Sequence, residues 1–528
     1  MRASAMTRRS FLAAAACSAG RAGAAPPAID LRVPLARAVS CMTNRMDPAQ
    51  NYRPWFAIDV KNHRPVRLRH DRWDCGDTGG RFVEAYVLAR RIAGADATTR
   101  EAERHARGYF ASLFAGDGLV YNPDLKGPDH SFAQGSALYA LVVDFEDSRS
   151  AETKTRIERL ISALDRKAVH ERDYLWFPEV ATKIAPCSHM SAYQVLPIVR
   201  FYELTGHAPA LRYASQLSRW ALYHDPTITS AGVITKTGWE GHLHAWMDTF
   251  SGILRCSKAP GSGLDHAEVR DRSVRLFEWV RANYTSPFGW VADSVGSKTC
   301  ETDTITSAIR LALELIAEGR TEYWNDIERF VRNQLIENQF VGTRGLQIRD
   351  PQLARGLEGC FESYADPNTL LAVESGDLEG CCINGGIRGL DLAWRNAVVD
   401  TPEEVRVNLL ITVEHPALDV VSRLPYEGRI QLNPKSTKPV RLRLPDWLSA
   451  DAVHVEGPAG MKDRGERGAL HLSGVKPGSA IVVRFTQRET TRTHVVAGRS
   501  YKARWRGDTV IDLQPAGSPY PTYQNRAT

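Results

Sequence analysis

The spacing of apolar residues changes once along this chain of 528 residues, and that change constrains the fold more than any other feature. From about residue 80 to 395, apolar positions recur every three and four residues; beyond Trp394 they recur every two. In the segment 301–319, Ile305, Ala308, Ile309, Ala312, Leu315 and Ile316 form one stripe ending at Gly319, as in a helix with a buried face. EYWNDIERFVRNQLIENQF places Trp324, Ile327, Val331 and Leu335 on one face, and similar stripes occur at 81–93, 134–144, 151–164, 190–204, 209–222 and 266–283. Such helices, joined by Gly/Pro loops, predict paired helices arranged as a toroid or solenoid. The lack of a strict repeat disfavours a tandem array. Beyond Trp394, Val405, Val407, Leu409 and Ile411 alternate, as do Val440, Leu442 and Leu444, and IVVRF closes a later run. These are short strands, because successive strand side chains face opposite sides, and together they predict a C-terminal β-sandwich. The expected division is a helical domain over 26–395 and the sandwich over 396–528, parted by the polar run RNAVVDTPEE. A chain this long exceeds one ordinary core.

The first residues, MRASAMTRRSFLAAAACSAGRAGAAPPA, combine a basic start, a short apolar run from Phe11 to Ala16 and an Ala22-Gly23-Ala24 stretch suited to cleavage. That is a secretory signal over 1–25, too short to span a bilayer. Arg8–Arg9 followed by Ser10, Phe11 and Leu12 resembles a twin-arginine export signal, which predicts a periplasmic or secreted protein. Lipid attachment at Cys17 is disfavoured, because Ala14 stands where such a motif carries Leu. No later segment is hydrophobic enough to cross a membrane.

The formal charge of +6 includes Arg2, Arg8, Arg9 and Arg21 of the signal, so the remainder carries about +2 and gives no basis for a nucleic-acid partner. With 43% hydrophobic and 24% charged residues, the composition excludes a disordered chain. Twelve Trp and seventeen Tyr suit a sugar-binding cleft, although aromatics serve cores equally well. Cys41, Cys75, Cys187, Cys256 and Cys360 are too scattered for a small disulfide framework.

The paired thiols Cys381 and Cys382, in EGCCINGGIRGLDLAW, are the most informative local feature. Neighbouring cysteines do not readily bond to each other, but both can face one site if the chain turns at Gly385 and Gly386. Upstream, SKTCETDT holds Cys300, Glu301 and Asp303. Thiolates and carboxylates from two segments make a tetrahedral zinc set; the competing reading is of ordinary buried cysteines and of Asp303 as a helix cap. Asp293, in SPFGWVADSVG, is a candidate proton donor or a turn former. His242 and His244, in GWEGHLHAW, are candidates for sugar-hydroxyl contacts. In RWDCGDTGGRFVEA, Asp77 and Arg81 form an ion pair or hold hydroxyls, with Trp73 stacking on a ring.

These segments together resemble glycoside hydrolase family 127, the β-L-arabinofuranosidase-like proteins. The resemblance runs over roughly 60–515 through GDTGGRFVEAYVLARRIAG, GHLHAWMDTFSGILR, CETDTITSAIRLALEL, YWNDIERFVRNQ, EGCCINGGIRGL, SRLPYEG and RLRLPDW. It implies an (α/α)6 barrel followed by β-sandwich domains. It also implies a Zn2+ ion held by a Glu-x-Cys pair and the vicinal cysteines, the first of which is the nucleophile of a retaining double displacement. By that resemblance Cys381 is the nucleophile and metal ligand, with Cys382 and Glu301 as further ligands. The chain departs from the family at Glu301-Thr302-Asp303, so that Asp303 replaces a sulfur ligand or Cys300 swings in. It also has INGG after the pair and lacks an upstream Gly-Glu-Ala-Phe segment, which leaves Asp293 as the candidate acid. The expectation is an exo-acting glycosidase on plant or algal polysaccharide sugars. The alternatives are a polysaccharide lyase or uronyl hydrolase on a helical toroid, and a non-catalytic carbohydrate-binding protein.

Overall fold

The computed structural model describes residues 29–523 except 61–65, 126, 179–187, 343–345, 347, 349, 372–376 and 519. The expected signal at 1–25, with Cys17, and also Cys187 lie outside the described residues.

Helices dominate up to residue 397: α1 (Arg32–Thr43), α2 (Gly76–Ala93), α3 (Ala97–Ser112), α4 (Ser131–Ser148), α5 (Ala151–Lys167), α6 (Val195–Thr205), α7 (Ala208–Tyr223), α8 (Leu243–Lys258), α9 (His266–Tyr284), α10 (Thr302–Ala317), α11 (Trp324–Arg329), α12 (Pro351–Leu357) and α13 (Gly380–Ala397). Six of them pack in succession: α2 on α4, α4 on α6, α6 on α8, α8 on α10, α10 on α13, and α13 back on α2. The intervening helices α3, α5, α7 and α9 each pack outside one of these. The two sets differ in sequence as their positions demand. Outer helices bury one stripe, as α5 does with Ile157, Leu160, Ile161 and Leu164, and α3, α5 and α9 begin at capping residues Asp96, Ser150 and Asp265. Such caps satisfy N–H groups that the first turn leaves open. An inner helix is buried nearly all round; along α8 only Arg255 and Lys258 are not.

The stripe read through Trp324, Ile327, Val331 and Leu335 is helical, but α11 passes into a π turn at Phe330–Leu335. There Asn333 bonds the Asp508 carbonyl and the Val510 amide, at 3.0 and 2.9 Å. Glu328 lies between Arg332 and Arg443, tying the helices to the C-terminal strands.

Beyond α13 the chain forms strands. Antiparallel strands 418–422, 429–434, 481–485 and 453–456 make one sheet in that order. A second sheet runs 462–466, 469–473, 440–443, 405–407, 398–400, with 440–443 parallel to 405–407. A three-stranded meander follows over 489–514. Leu409, Ile411 and Leu444 are buried but lie just outside the strands expected for them. Arginine side chains take the nearby carbonyls: Arg443 Nε bonds Asn408 O at 2.5 Å and Arg332 Nη2 bonds Leu410 O at 2.7 Å. Among the described residues, no helix is long and apolar enough to cross a membrane.

Candidate active site at the helix N-termini

The N-terminal ends of the inner helices α2, α4, α8, α10 and α13 converge on one pocket. His242, Glu301 and Glu379 are the N-cap residues of α8, α10 and α13, yet none of their side chains caps its own helix. Asp77, His244, Asp303 and Cys381 each hold the second helical position of α2, α8, α10 and α13. All seven line the pocket. The ends that would ordinarily carry caps carry reactive groups instead, and the open amides and helix dipoles there favour anions.

Glu379 stands at the end of the strand Asp377–Glu379, which pairs with Ala57–Asp59, and the Gly380 amide bonds the Phe56 carbonyl at 2.6 Å. That anchoring delivers Cys381 and Cys382 into the first turn of α13. The expected turn at Gly385 and Gly386 is absent, since both glycines lie inside the helix. They are small because neighbours lie close. A Cβ on Gly385 would sit 2.4 Å from Asp303 Oδ1, and one on Gly386 2.2 Å from the Phe361 ring. Replacing Gly385 by alanine must therefore push Asp303 aside. If the set holds a metal ion, the expected result is an affinity for it about tenfold weaker or more, as for other residues that orient ligands. Competition against a chromophoric chelator measures it, and an unchanged affinity would remove Asp303 from the metal set.

The candidate metal set comes together. One ligand atom from each of Glu301, Asp303, Cys381 and Cys382 lies within 4.8 Å of the others, and all four residues are buried. Cys381 Sγ is 3.8 Å from Cys382 Sγ, which is 3.7 Å from Glu301 Oε1. Zn–S bonds of about 2.3 Å at the tetrahedral angle put two sulfurs about 3.8 Å apart. Two soft and two hard donors, four-fold and buried, therefore fit a zinc ion. The charges fit as well. Asp77, Glu301, Asp303 and Glu379 face the pocket with one guanidinium, that of Arg81. For Cys381, a hydrogen bond from Cys382 lowers the thiol's pKa, but burial and the carboxylates Glu379, Asp303 and Glu301 more than offset it. Burial likewise pushes Cys382 well up. Without a cation, both would be thiols at neutral pH.

Cys300 does not complete the set. It pairs in extended conformation with Ala292 and Ala365, and its thiol lies toward Asn338 Nδ2 at 3.9 Å. Asp303 does face the set, held by Arg81 Nη1 at 3.1 and 3.3 Å; Arg81 Nε also bonds Asp77, at 2.7 Å. Ser136 Oγ donates to the same Asp77 oxygen, at 2.6 Å. Asp303 is thus not the cap of α10. Burial, then Glu301, raises its carboxyl against the pull of Arg81.

Asp293 is elsewhere. Its carboxylate accepts from the hydroxyls of Ser294, Ser297 and Thr299 and so closes its own loop, and it does not line the pocket. Its backbone carbonyl accepts from His242 Nδ1 at 3.0 Å. His242 and His244, the candidates for sugar-hydroxyl contacts, both line the pocket: His242 precedes the helix, and the ring centroids are 4.4 Å apart. Trp73 lines the pocket and stacks on Trp239, 6.1 Å away with planes 21° apart.

Glu379 and Trp239 are site residues the sequence reading missed. Burial, followed by Glu301, pushes the Glu379 carboxyl up to about 8, and its Oε2 is 3.5 Å from Cys381 Sγ. Its signal was a lone acid two positions before the thiol pair.

Comparison of the sequence with family models and with curated proteins gives no match. Solved structures do match. A family-127 β-L-arabinofuranosidase from Geobacillus stearothermophilus T6 superposes with a TM-score of 0.60 at 12% identity, over 90% of this chain and 80% of that one. Another family-127 β-arabinofuranosidase gives 0.62 at 13% identity, over 90% and 78%. A cellobiose 2-epimerase from Bacillus thermoamylovorans B4167 gives 0.50 at 11% identity, over 68% of this chain and 98% of that one. At these identities what is shared is the fold.

Proposed function

We propose that this chain is an exo-acting, retaining glycoside hydrolase of the β-L-arabinofuranosidase type, with Cys381 as nucleophile in a zinc site. The observation that carries the reading is the convergence of Glu301, Asp303, Cys381 and Cys382 within 4.8 Å at a pocket whose wall also holds Trp73, Asp77 and Arg81. The closed succession of six inner helices supports an (α/α)6 barrel, and the C-terminal sheets support a sandwich. Residues 26–395 would then be the catalytic domain and 396–528 the sandwich, exported through a twin-arginine signal at 1–25.

A bound zinc ion would keep the thiol of Cys381 deprotonated near neutral pH. In the first step, Cys381 Sγ bonds the anomeric carbon as the bond to the leaving oxygen breaks, and a carboxylic acid protonates that oxygen. Glu379 fits the acid role better than Asp293, because it faces the pocket beside Cys381. In the second step its carboxylate takes a proton from water, which displaces the sulfur and restores the original configuration. Asp77 and Arg81 are pre-positioned by Asp303 and Ser136 to hold hydroxyls, with Trp73 as a face for the ring.

The test is hydrolysis of plant and algal oligosaccharides by the purified chain. Chelator-stripped protein should be inactive and regain activity with zinc. Iodoacetamide applied to stripped protein should block that recovery, whereas zinc-loaded protein treated identically should stay active. Full activity after exhaustive stripping would sink the reading.

A further inference from the structure

Glu301 has two carboxylate oxygens, and the thiolate set uses one of them. Oε1 faces Cys382. Oε2 lies 3.2 Å from His242 Nε2, yet it has no hydrogen bond of acceptable direction and is shut off from solvent. The tautomer explains the mismatch. His242 Nδ1 faces the Asp293 carbonyl at 3.0 Å, which can only accept, so Nδ1 carries the proton. Nε2 and Oε2 therefore face each other across 3.2 Å, a separation that one positive centre, a proton or a cation, can bridge. An imidazole whose far N–H is tied to a backbone carbonyl is also how metal-ligating histidines are held.

A third donor stands next to these two. The His244 ring centroid is 4.4 Å from that of His242, the residue is 3% exposed, and its Nδ1 has no partner. One ligand atom from each of His242, His244 and Glu301 lies within 4.8 Å of the others, and all three residues line the pocket. Two imidazoles, one carboxylate and an open side toward a pocket match the protein ligands of an open zinc site.

We propose that His242, His244 and Glu301 Oε2 hold a second divalent cation, of zinc type, with Glu301 bridging it to the cation of the cysteine set. The open position of this second ion faces the pocket, where it can take an oxygen of the bound sugar. The two imidazoles would then contact the substrate through the ion and not directly. The inference goes beyond the glycosidase reading and does not depend on Cys381 being a nucleophile.

The experiment is zinc stoichiometry on the full chain, stripped with chelator, reloaded with Zn2+, freed of excess and measured by inductively coupled plasma mass spectrometry. Wild type should hold two equivalents and His244→Ala one. The Cys381→Ser/Cys382→Ser double variant should also hold one. With Co2+ in place of zinc, His244→Ala should keep the sulfur-to-cobalt charge-transfer band and the double cysteine variant should lose it. A single equivalent in wild type overturns the second site and leaves the cysteine site standing. Two equivalents that persist in His244→Ala also overturn it, since the extra ion then lies elsewhere. Loss of both ions from the double cysteine variant shows that the imidazoles only buttress the thiolate ion. No zinc in wild type overturns both sites.

Discussion

Cys381→Ser is expected to lower glycoside hydrolysis by about four orders of magnitude or more, as removal of a covalent nucleophile does, while the chain stays folded. The physical reason is the difference between sulfur and oxygen at one buried position. A zinc-held thiol would ionise near neutral pH; a serine hydroxyl, a far weaker acid, would stay protonated at the same place. Glu379, 3.5 Å away, cannot serve as a base there while it carries the proton destined for the leaving group. Cys382→Ser should behave differently, because Cys382 lies behind its neighbour, against Glu301 Oε1, and does not line the pocket. Its loss should act through metal affinity and be partly rescued by added zinc, whereas no zinc concentration should rescue Cys381→Ser. The comparison needs kcat on one oligosaccharide and zinc content for both variants. Turnover by Cys381→Ser within tenfold of wild type would make the thiol a ligand only and would leave the retaining mechanism without its nucleophile.

Helices of both sets were legible: the stripes at 151–164 and 266–283 correspond to α5 and α9, and those at 81–93, 134–144 and 301–319 to α2, α4 and α10, because a helix face that packs on its neighbours writes its period into the chain. The stretch from Leu243 to Lys258 carries the same spacing through Leu243, Trp246, Met247, Phe250 and Leu254, although nearly every residue of α8 is covered. Its buried polar residues His244, Asp248, Thr249 and Ser251 set it apart from an ordinary core helix. The convergence of Cys381, Cys382, Glu301 and Asp303 was readable because thiols and acids are unusual together. The place of Glu379 was not, as one acid in a strand–helix junction resembles any surface acid. Asp293, read as a proton donor or a turn former, answers to the second description: three hydroxyls from its own loop engage that carboxylate. The glycines Gly385 and Gly386 were read as a turn, whereas their smallness serves close packing against Asp303 and Phe361.

The ring of inner helices is closed by α13 packing on α2, and one buried ion pair spans that junction. Arg388 donates to Glu84 through Nε at 2.9 Å and Nη2 at 2.5 Å, and both side chains are almost wholly buried. The guanidinium also lies 4.8 Å from the Tyr139 ring centroid and 3.3 Å from Tyr193 Oη. Burial alone would raise the Glu84 carboxyl, but Arg388 holds it below its ordinary value. Arg388→Ala therefore leaves a carboxylate without its partner and opens a gap against Tyr139. The expected loss is about 3–5 kcal/mol of stability, typical for one member of a buried pair removed alone. Replacing both members with methionine should recover most of it, since the desolvated charges vanish together and apolar volume is kept. The measurement is the urea midpoint of zinc-loaded protein for the wild type, the single variant and the double variant. A double variant no more stable than Arg388→Ala would mean that α13 is held on α2 by other contacts, such as the hydrogen bond that Asn384 Nδ2 donates to the Arg81 carbonyl at 2.9 Å, and not by the charge pair. Because Asn384 and the thiols share one helix, loosening this junction should also weaken zinc binding in Arg388→Ala, and the double variant should restore affinity in step with its midpoint.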